Sequence, residues 1–213
     1  MNKYSGSLKI IFLDIDGVLS GNDNLIKSFI FNKLIPRNLR DSDFIRDFYN
    51  PYIIDENKVK LLHDIVQKTN AKIVLCSAWR ADALKFMLNR ECIKKMHKNE
   101  NARLLVEYFT KYNLHIYDIT PKDPLAYRST EIASWLDRCK KPIYSFVVID
   151  DEINEEFMKY DKQVCTCDNP DRSGCWNICD GLRPKHVNHI INILNTKLDS
   201  KSKYVDNIIG GFY

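Results

Sequence analysis

The chain has 213 residues, of which 45% are hydrophobic and 28% are charged, so it can bury the core of one domain with insertions but is short for two full domains. Its formal net charge of +4 fits anionic ligands without establishing a nucleic-acid surface. No run approaches the roughly 18 apolar residues of a membrane span, and Asp14 interrupts the short apolar stretch near the start, unlike a secretory signal, so we expect a soluble, cytoplasmic protein with no membrane partner.

The first predicted element is a strand that ends in two aspartates. Residues 10–13 are all apolar, which is typical of a central strand in a parallel sheet covered on both faces. Asp14 and Asp16 follow two residues apart, so their side chains point the same way, and Gly17 permits a tight turn behind them. Open α/β sheets bind ligands at this edge, and the repulsion between neighbouring carboxylates demands a cation. The pattern predicts a metal-dependent site, with a solvated strand end as the simpler alternative.

A long segment separates this strand from the next helix. Residues 20–54 contain several asparagines and prolines around short aromatic clusters, and we expect them to form a small cap or lid over the acidic strand end. Asp55 is a plausible N-cap for a crossover helix over residues 56–69. The apolar positions of that helix recur at helical spacing: Val59, Leu62, Ile65 and Val66.

A second strand is predicted over residues 72–76, and it ends at Ser77. Trp79 and Arg80 follow shortly after. We interpret Trp79 as a packing residue rather than a stacking platform, because tryptophan is usually well buried. For Arg80 two interpretations stay open: it reaches a substrate from the strand end, or it forms a surface ion pair.

Residues 81–126 combine helical patterns with a basic run from Lys94 to Arg103. Such a run could follow a polynucleotide backbone. A solvated helix face is the preferred interpretation, because no aromatic residues suited to base stacking are interleaved with the basic ones.

The last third of the chain continues the alternation of helix and strand. Ser129 is a candidate N-cap of a helix with an apolar side at Ile132, Trp135 and Leu136, and residues 144–149 form a third strand that ends in Asp150 and Asp151. A final helix begins at Pro184, with a buried stripe at Val187, Ile190, Ile191, Leu194 and Leu198. We therefore predict one domain over residues 1–213, an α/β fold with a three-layer Rossmann-like parallel sheet, helices on both faces and a small cap or insertion.

Seven cysteines, an odd number, argue against a fully paired disulfide framework. Four of them, Cys165, Cys167, Cys175 and Cys179, fall within a Cys-rich insertion over residues 165–180. A structural Zn²⁺ is the less favoured interpretation, because only the second pair has a common zinc-ligand spacing. Thiols that bind no metal are the default.

The strand ends together resemble the haloacid dehalogenase-type (HAD) phosphohydrolase superfamily, whose first motif is an apolar strand followed by Asp-x-Asp-Gly-(Thr/Val). The strings at 73–80 (IVLCSAWR), 128–136 (RSTEIASWL), 148–151 (VIDD) and 180–182 (DGL) are similar, more narrowly, to the compact branch associated with RNA-repair "Swiss Army knife" proteins. The superfamily resemblance spans about residues 8–198.

The resemblance implies a division of labour among the acids. Asp14 would attack phosphorus to form an aspartyl-phosphate, and Asp16 would protonate the leaving oxygen and later activate water. The Asp14 side chain, the backbone carbonyl of Asp16, and Asp150 or Asp151 would hold Mg²⁺. Asp150 and Asp151 have even claims to direct contact with the metal.

Further residues would bind the phosphoryl group. Ser77 would donate a hydrogen bond to a phosphoryl oxygen, with a helix N-cap as its structural alternative. A cation should neutralise the phosphoryl oxygens; Arg128 is the first choice and Lys122 the alternative. Arg128 would depart from the lysine that the superfamily prefers, and Arg80 and Lys122 are further substrate-binding candidates.

The resemblance implies a Mg²⁺-dependent phosphomonoester hydrolase, with a nucleic-acid end phosphate as the first substrate class and a polynucleotide as its partner. A phosphatase for a small nucleotide or sugar phosphate is the nearest alternative. A non-catalytic phosphate-binding or signalling module is a third, weakened by the presence of every required acid. The sequence does not determine the oligomeric state.

Overall fold

The fold is an α/β sandwich built on a parallel sheet. A computed structural model describes residues 6–20, 54–80, 100–122, 126–152, 157, 162–166 and 181–198. Their elements, in chain order, are β1 (Leu8–Leu13), α1 (Glu56–Thr69), β2 (Lys72–Leu75), α2 (Glu100–Lys111), β3 (Ile116–Ile119), α3 (Arg128–Arg138), β4 (Ile143–Asp150), β5 (Gln163–Cys165) and α4 (Pro184–Asn195).

All strand pairs in this part of the chain are parallel, and the sheet has the order β3-β2-β1-β4-β5. The central strand β1 pairs on both sides: Leu13 lies opposite Leu75 of β2 and Ile149 of β4. Because the strands are parallel and in this register, β1, β2 and β4 end at one edge of the sheet. The α/β prediction is confirmed, and this edge is the one that carries the predicted site.

Both faces of the sheet are covered, which accounts for the almost uniformly apolar β1. One face packs against α1, α2 and α4, and its buried cluster includes Ile11, Leu13, Ile73, Leu75, Leu62, Phe109 and Ile190. The other face packs against α3, and its cluster includes Ile10, Phe12, Val74, Phe146, Ile132, Trp135 and Phe157. Alternate residues of one strand enter opposite clusters, as the two-residue period of a strand requires. The predicted three-layer arrangement is confirmed.

Two N-cap residues were predicted, and the observed first residues of α1 and α3 show that one prediction is right and the other wrong. Asp55 caps α1 as expected, because its Oδ1 accepts a hydrogen bond from the Asn57 amide at 2.8 Å. The Ser129 cap is wrong: α3 begins one residue earlier, at Arg128, and Ser129 is buried inside its first turn. The Tyr127 carbonyl already accepts the first helical hydrogen bond, from the Glu131 amide at 3.2 Å. Arg128 therefore belongs to the helix rather than preceding it.

The final helix begins at Pro184 as predicted but ends earlier than the apolar stripe suggested. α4 ends at Asn195, and Leu198 lies beyond it, where its amide donates to the Tyr144 carbonyl at 2.8 Å. Leu198 packs against the α3 side of the sheet, whereas Ile190 and Leu194 pack against the other side. Just before this helix, the Leu182 amide donates to the Val18 carbonyl at 2.8 Å, so this late segment closes onto the turn after β1.

Two predicted insertions fall largely outside the described residues. Of the 20–54 cap, only Ser20 and Ile54 are described, and they form an antiparallel bridge. Of the 165–180 insertion, Cys165 and Thr166 are described. No helix in the described ranges is long and apolar enough to cross a bilayer.

Candidate active site

Three carboxylates converge at the edge of the sheet where β1 and β4 end. One oxygen from each of Asp14, Asp150 and Asp151 lies within 4.8 Å of the other two. The ladder continues past the strand ends to hold them there: the Asp14 amide donates to the Ile149 carbonyl at 3.0 Å. Asp14 is 5% exposed and Asp150 is 3% exposed. The sheet therefore brings together three of the four aspartates expected at a metal.

Burial dominates the ionisation of the two inner acids. Removal from water raises the pKa of Asp14 to about 6, with Arg128 opposing the rise and Asp151 adding to it. Removal from water also raises the pKa of Asp150 to about 7, with Asp14 as the next cause. Like-charged carboxylates in a poorly hydrated pocket favour protonation unless a cation neutralises them. The pocket is thus electrostatically suited to a divalent cation, and its oxygen ligands are those that Mg²⁺ prefers.

Arg128 supplies a positive charge to the same pocket. Its Nη1 donates to Asp14 Oδ1 at 3.2 Å, and its Nε lies 3.6 Å from Asp150 Oδ2. The position follows from the helix start, because Arg128 is the first residue of α3. Of the two basic residues predicted to neutralise a phosphoryl group, Arg128 lies among the acids.

The Asp16 carboxylate is not part of the three-carboxylate group. The Trp79 indole Nε1 donates to Asp16 Oδ2 at 2.8 Å. Trp79 is partly buried against the larger core cluster, so it does pack, as predicted, and in addition it binds an acid of the site. The proposed metal contact of Asp16 uses its backbone carbonyl, which stays a prediction.

Ser77 lies fully buried beside the acids. Its hydroxyl interacts with the Asp14 carboxylate, which lowers the pKa of Asp14 against the effect of burial. Its Oγ also accepts from the Trp79 amide at 3.4 Å, and its carbonyl accepts from the Arg80 amide at 3.2 Å. The residue therefore combines the turn-forming contacts of the structural alternative with a direct contact to Asp14.

Gly17 is required by the geometry of the turn after Asp16. Its φ of +69° lies in the left-handed region, and a Cβ at this position would collide with the Asp151 carboxylate. Thr166, which the sequence analysis did not identify, ties this turn to β4. Its Oγ1 donates to the Gly17 carbonyl at 2.8 Å, and its amide donates to the Asp150 carbonyl at 3.0 Å. No sequence motif marks Thr166.

Arg80 forms an ion pair, as one of its two predicted interpretations has it, but the pair is buried rather than on the surface. Its two terminal nitrogens bind the Glu131 carboxylate, and Nη1 also binds Thr120 Oγ1. The side chains of Arg80 and Glu131 are 8% and 6% exposed. The pair thus fastens the turn after Ser77 to α3, and substrate contact by Arg80 stays a prediction.

Lys122 lies outside the group of acids, on the wall of a separate cleft of about 680 Å³. This β3 cleft is lined by residues 117–122, residues 138–141, Arg80 and Trp135. The predicted zinc ligands are not tested: Cys165 donates to the Asp151 carbonyl at 3.4 Å, and the other three cysteines lie outside the described residues.

Comparison with known proteins gives one match. The family model described as "HAD domain in Swiss Army Knife RNA repair proteins" matches residues 10–170 of this chain. No curated protein and no solved structure matches it. The matched range contains every acid of the site and all five strands except the first two residues of β1.

Proposed function

We propose that this chain, which belongs to the family of HAD domains in Swiss Army Knife RNA repair proteins, is a Mg²⁺-dependent phosphomonoester hydrolase that acts through a phosphorylated Asp14. The observation that carries the proposal is the convergence of Asp14, Asp150 and Asp151 with Arg128 at the strand ends. A buried, rigidly held carboxylate next to a cation is the arrangement that nucleophilic attack on a phosphate needs.

Asp14 is the proposed nucleophile. With a pKa of about 6 it is largely ionised at neutral pH, and a carboxylate that is little hydrated attacks more readily than one in bulk water. One carboxylate oxygen forms a bond to phosphorus while the bond from phosphorus to the ester oxygen breaks. The product of this step is an acyl phosphate on Asp14 and a free alcohol or hydroxyl end.

Asp16 is the proposed acid and base. It gives its proton to the leaving oxygen in the first step and takes one from water in the second, when water attacks the acyl phosphate and regenerates Asp14. The hydrogen bond from Trp79 fixes the direction of its carboxyl group. The charge of Asp16 contributes to the raised pKa of Asp14, which supports a role for both carboxyl groups at the same phosphoryl group.

Asp14, Asp150, Asp151 and the Asp16 carbonyl are the groups proposed to hold Mg²⁺. The bound ion would screen the repulsion between the attacking carboxylate and the phosphoryl oxygens. Arg128 adds a positive charge beside Asp14, and the Ser77 hydroxyl, which contacts Asp14, would donate to a phosphoryl oxygen. We propose nucleic-acid end phosphates as the substrates, which the description of the family supports.

Phosphate release from a generic aryl phosphate tests the proposal. We expect turnover that needs Mg²⁺, disappears in Asp14→Asn and persists in Asp137→Asn, an exposed acid on α3 that serves as the matched control. Mass spectrometry of quenched wild-type protein should find one added phosphoryl group, and peptide mapping should locate it at Asp14. Turnover that survives Asp14→Asn would refute the mechanism. A panel of phosphorylated metabolites and of 5′- and 3′-phosphorylated oligonucleotides then identifies the substrate.

A further inference from the structure

The β3 cleft carries an excess of positive charge. In the part of the chain that the structure describes, five basic residues line it, namely Arg80, Lys122, Arg138, Lys140 and Lys141. The charge of Arg80 is balanced by the buried Glu131, so the excess comes from the other four. Among the described residues on its wall, Asp118 is the single acid, and its oxygens already accept hydrogen bonds: Oδ2 from the Trp135 indole at 2.7 Å and Oδ1 from the Ile119 amide at 2.8 Å. The cleft therefore suits an anion with several charges better than a neutral or cationic ligand.

Arg80 gives the cleft a buried donor. Its terminal nitrogens are held by Glu131 and Thr120, whereas its Nε is buried with no hydrogen-bond partner among the described residues. A buried donor that lacks a partner is costly, and an acceptor from a ligand would satisfy it. This guanidinium lies at the same edge of the sheet as the acids, because it binds Thr120, the residue that directly follows the C-terminal end of β3.

The cleft also presents an aromatic face. Tyr117 is 39% exposed on β3, and Lys141 Nζ lies 5.8 Å from the centre of its ring. Aromatic rings beside basic residues are the combination that binds single-stranded nucleic acid, since bases stack while phosphates meet cations. An exposed tyrosine next to a lysine fits an unpaired base and its phosphate.

The cleft runs away from the acids along α3. The helix begins with Arg128 at the acids and ends with Arg138, and Lys140 and Lys141 follow at the far end of the cleft. At about 1.5 Å per residue, ten residues span about 15 Å. A chain molecule with one end at Asp14 could therefore lie along the whole cleft over a few of its units.

We propose that the β3 cleft binds the sugar-phosphate backbone of a single-stranded polynucleotide whose terminal phosphate lies at Asp14. The proposal rests on the proposed hydrolase function and extends it to the part of the substrate that does not react. Arg80 and Lys122 contact the phosphates nearest the reacting end, Tyr117 stacks on a base, and Lys140 and Lys141 bind phosphates further along.

A charge-reversal pair tests the cleft. The variant Lys140→Glu/Lys141→Glu changes two exposed residues far from the acids, and Lys60→Glu/Lys68→Glu makes the same charge change on α1, on the other face of the sheet. Fluorescence anisotropy with a labelled single-stranded 12-nucleotide RNA carrying a terminal phosphate, in EDTA, measures binding without turnover. We expect affinity to fall tenfold or more in the cleft variant and no more than about twofold in the control. Loss of two phosphate contacts should also reduce the magnitude of the salt slope of log Kd by about 1.4.

Turnover separates this proposal from the hydrolase proposal. In the cleft variant, kcat/KM should fall by the same factor for the phosphorylated oligonucleotide and stay unchanged for an aryl phosphate. The cleft proposal would be overturned if RNA affinity fell equally in the cleft and control variants. It would also be overturned if the protein bound the 12-mer no more tightly than a mononucleotide. If wild-type protein binds RNA through the cleft but hydrolyses no phosphomonoester, the cleft stands as a binding site and the proposed activity fails.

Binding of inorganic polyphosphate, measured in parallel with RNA, tests whether the ligand of the cleft is nucleic acid. Tyr117→Ala should weaken RNA binding about fivefold or more and leave inorganic polyphosphate binding unchanged, because polyphosphate has no base to stack. Tyr117→Phe, which keeps the ring, should bind RNA as the wild type does. An equal effect of Tyr117→Ala on both ligands would overturn the assignment of a polynucleotide.

Discussion

The Trp79 indole nitrogen lies 2.8 Å from Oδ2 of Asp16 and donates a hydrogen bond to it. The two residues come from the ends of different strands, β1 and β2, and the bond joins the proposed acid and base to a side chain that is packed against the core. Of the functional residues proposed, Asp16 is thus the one whose orientation depends on an indole.

Trp79→Phe removes this hydrogen bond while keeping an aromatic ring in the packed position. We expect kcat to fall about tenfold with little change in KM, and to fall more for an alkyl phosphate than for nitrophenyl phosphate, whose leaving group needs little protonation. Trp135→Phe is the matched control, because its indole binds Asp118 away from the acids. Equal losses for both substrates would show that Trp79 is structural only.

Arg128 should be needed for catalysis as a charge with a fixed direction. Arg128→Ala should lower kcat/KM for an aryl phosphate by about 10²–10³, and Arg128→Lys should recover part of it, because lysine keeps the charge but loses the two-sided contact to Asp14 and Asp150. Arg138→Ala, in the β3 cleft, should leave this substrate unaffected. If kcat/KM fell more in Lys122→Ala than in Arg128→Ala, Lys122 would be the residue that neutralises the phosphoryl group.

The buried acids should make the metal-free protein less stable at alkaline pH. The pKa values of Asp14 and Asp150 are about 6 and about 7 in the folded state, above the value of about 3.9 in an unfolded chain. The folded state therefore binds more protons than the unfolded state between about pH 4 and pH 7, and the free energy of unfolding falls as pH rises through this range.

Asp14→Asn removes the cost of burying an ionised Asp14 at alkaline pH. In EDTA at pH 8 the variant should be more stable than the wild type by up to roughly 3 kcal/mol, the equivalent of about two pKa units, and the gain should shrink at pH 5. Urea denaturation measures both values, and Asp137→Asn should change neither. Destabilisation at both pH values would mean that attraction to Arg128 outweighs burial.

Gly17 should not tolerate a side chain, because a Cβ there would collide with Asp151 in addition to straining the backbone. Comparison with a second glycine separates the collision from the backbone strain. Gly6 also has a positive φ, of +127°, but a Cβ there meets nothing within 4 Å, whereas at Gly17 it would strike Asp151. Gly6→Ala should cost about 1–3 kcal/mol of unfolding free energy, and Gly17→Ala should cost more and also abolish Mg²⁺-dependent turnover. Equal costs in the two variants would contradict the contact with Asp151.

The strands and helices with strong patterns were predictable from sequence, and so was the grouping of their terminal acids. β1 and β4 are long apolar runs, and parallel pairing then forces Asp14 and Asp150 to one edge. The edge strands β3 and β5 were missed, because four residues containing Asp118 and three beginning with Gln163 lack the apolar run of a central strand. Their pairing depends on a neighbouring strand rather than on local pattern.

The sequence predicted which residues form the site better than it predicted the contacts that those residues make. The buried ion pair of Arg80 was not predicted, because nothing in the local sequence indicates that Glu131, 51 residues away, binds it in the interior. The same holds for Trp79 with Asp16 and for Thr166 with Gly17, since each pair joins segments that only the folded sheet brings together. The Ser129 prediction was wrong because a serine that precedes apolar residues at helical spacing is often an N-cap. Here the first helical hydrogen bond is accepted by Tyr127, so the helix begins at Arg128.

The closure of Leu182 onto Val18 has a consequence for how the protein matures on the ribosome. Gly181 fits so tightly against the carbonyls of Val18 and Ser20 that a methyl group there would clash, so the acidic turn reaches its final packing only when a partner more than 160 residues downstream is in place. A nascent chain that ends before this point contains the proposed nucleophile, Asp14, but lacks the segment that packs against the turn after it. The proposed phosphate chemistry should therefore begin only late in synthesis, when the last segment of the fold has packed against the first strand.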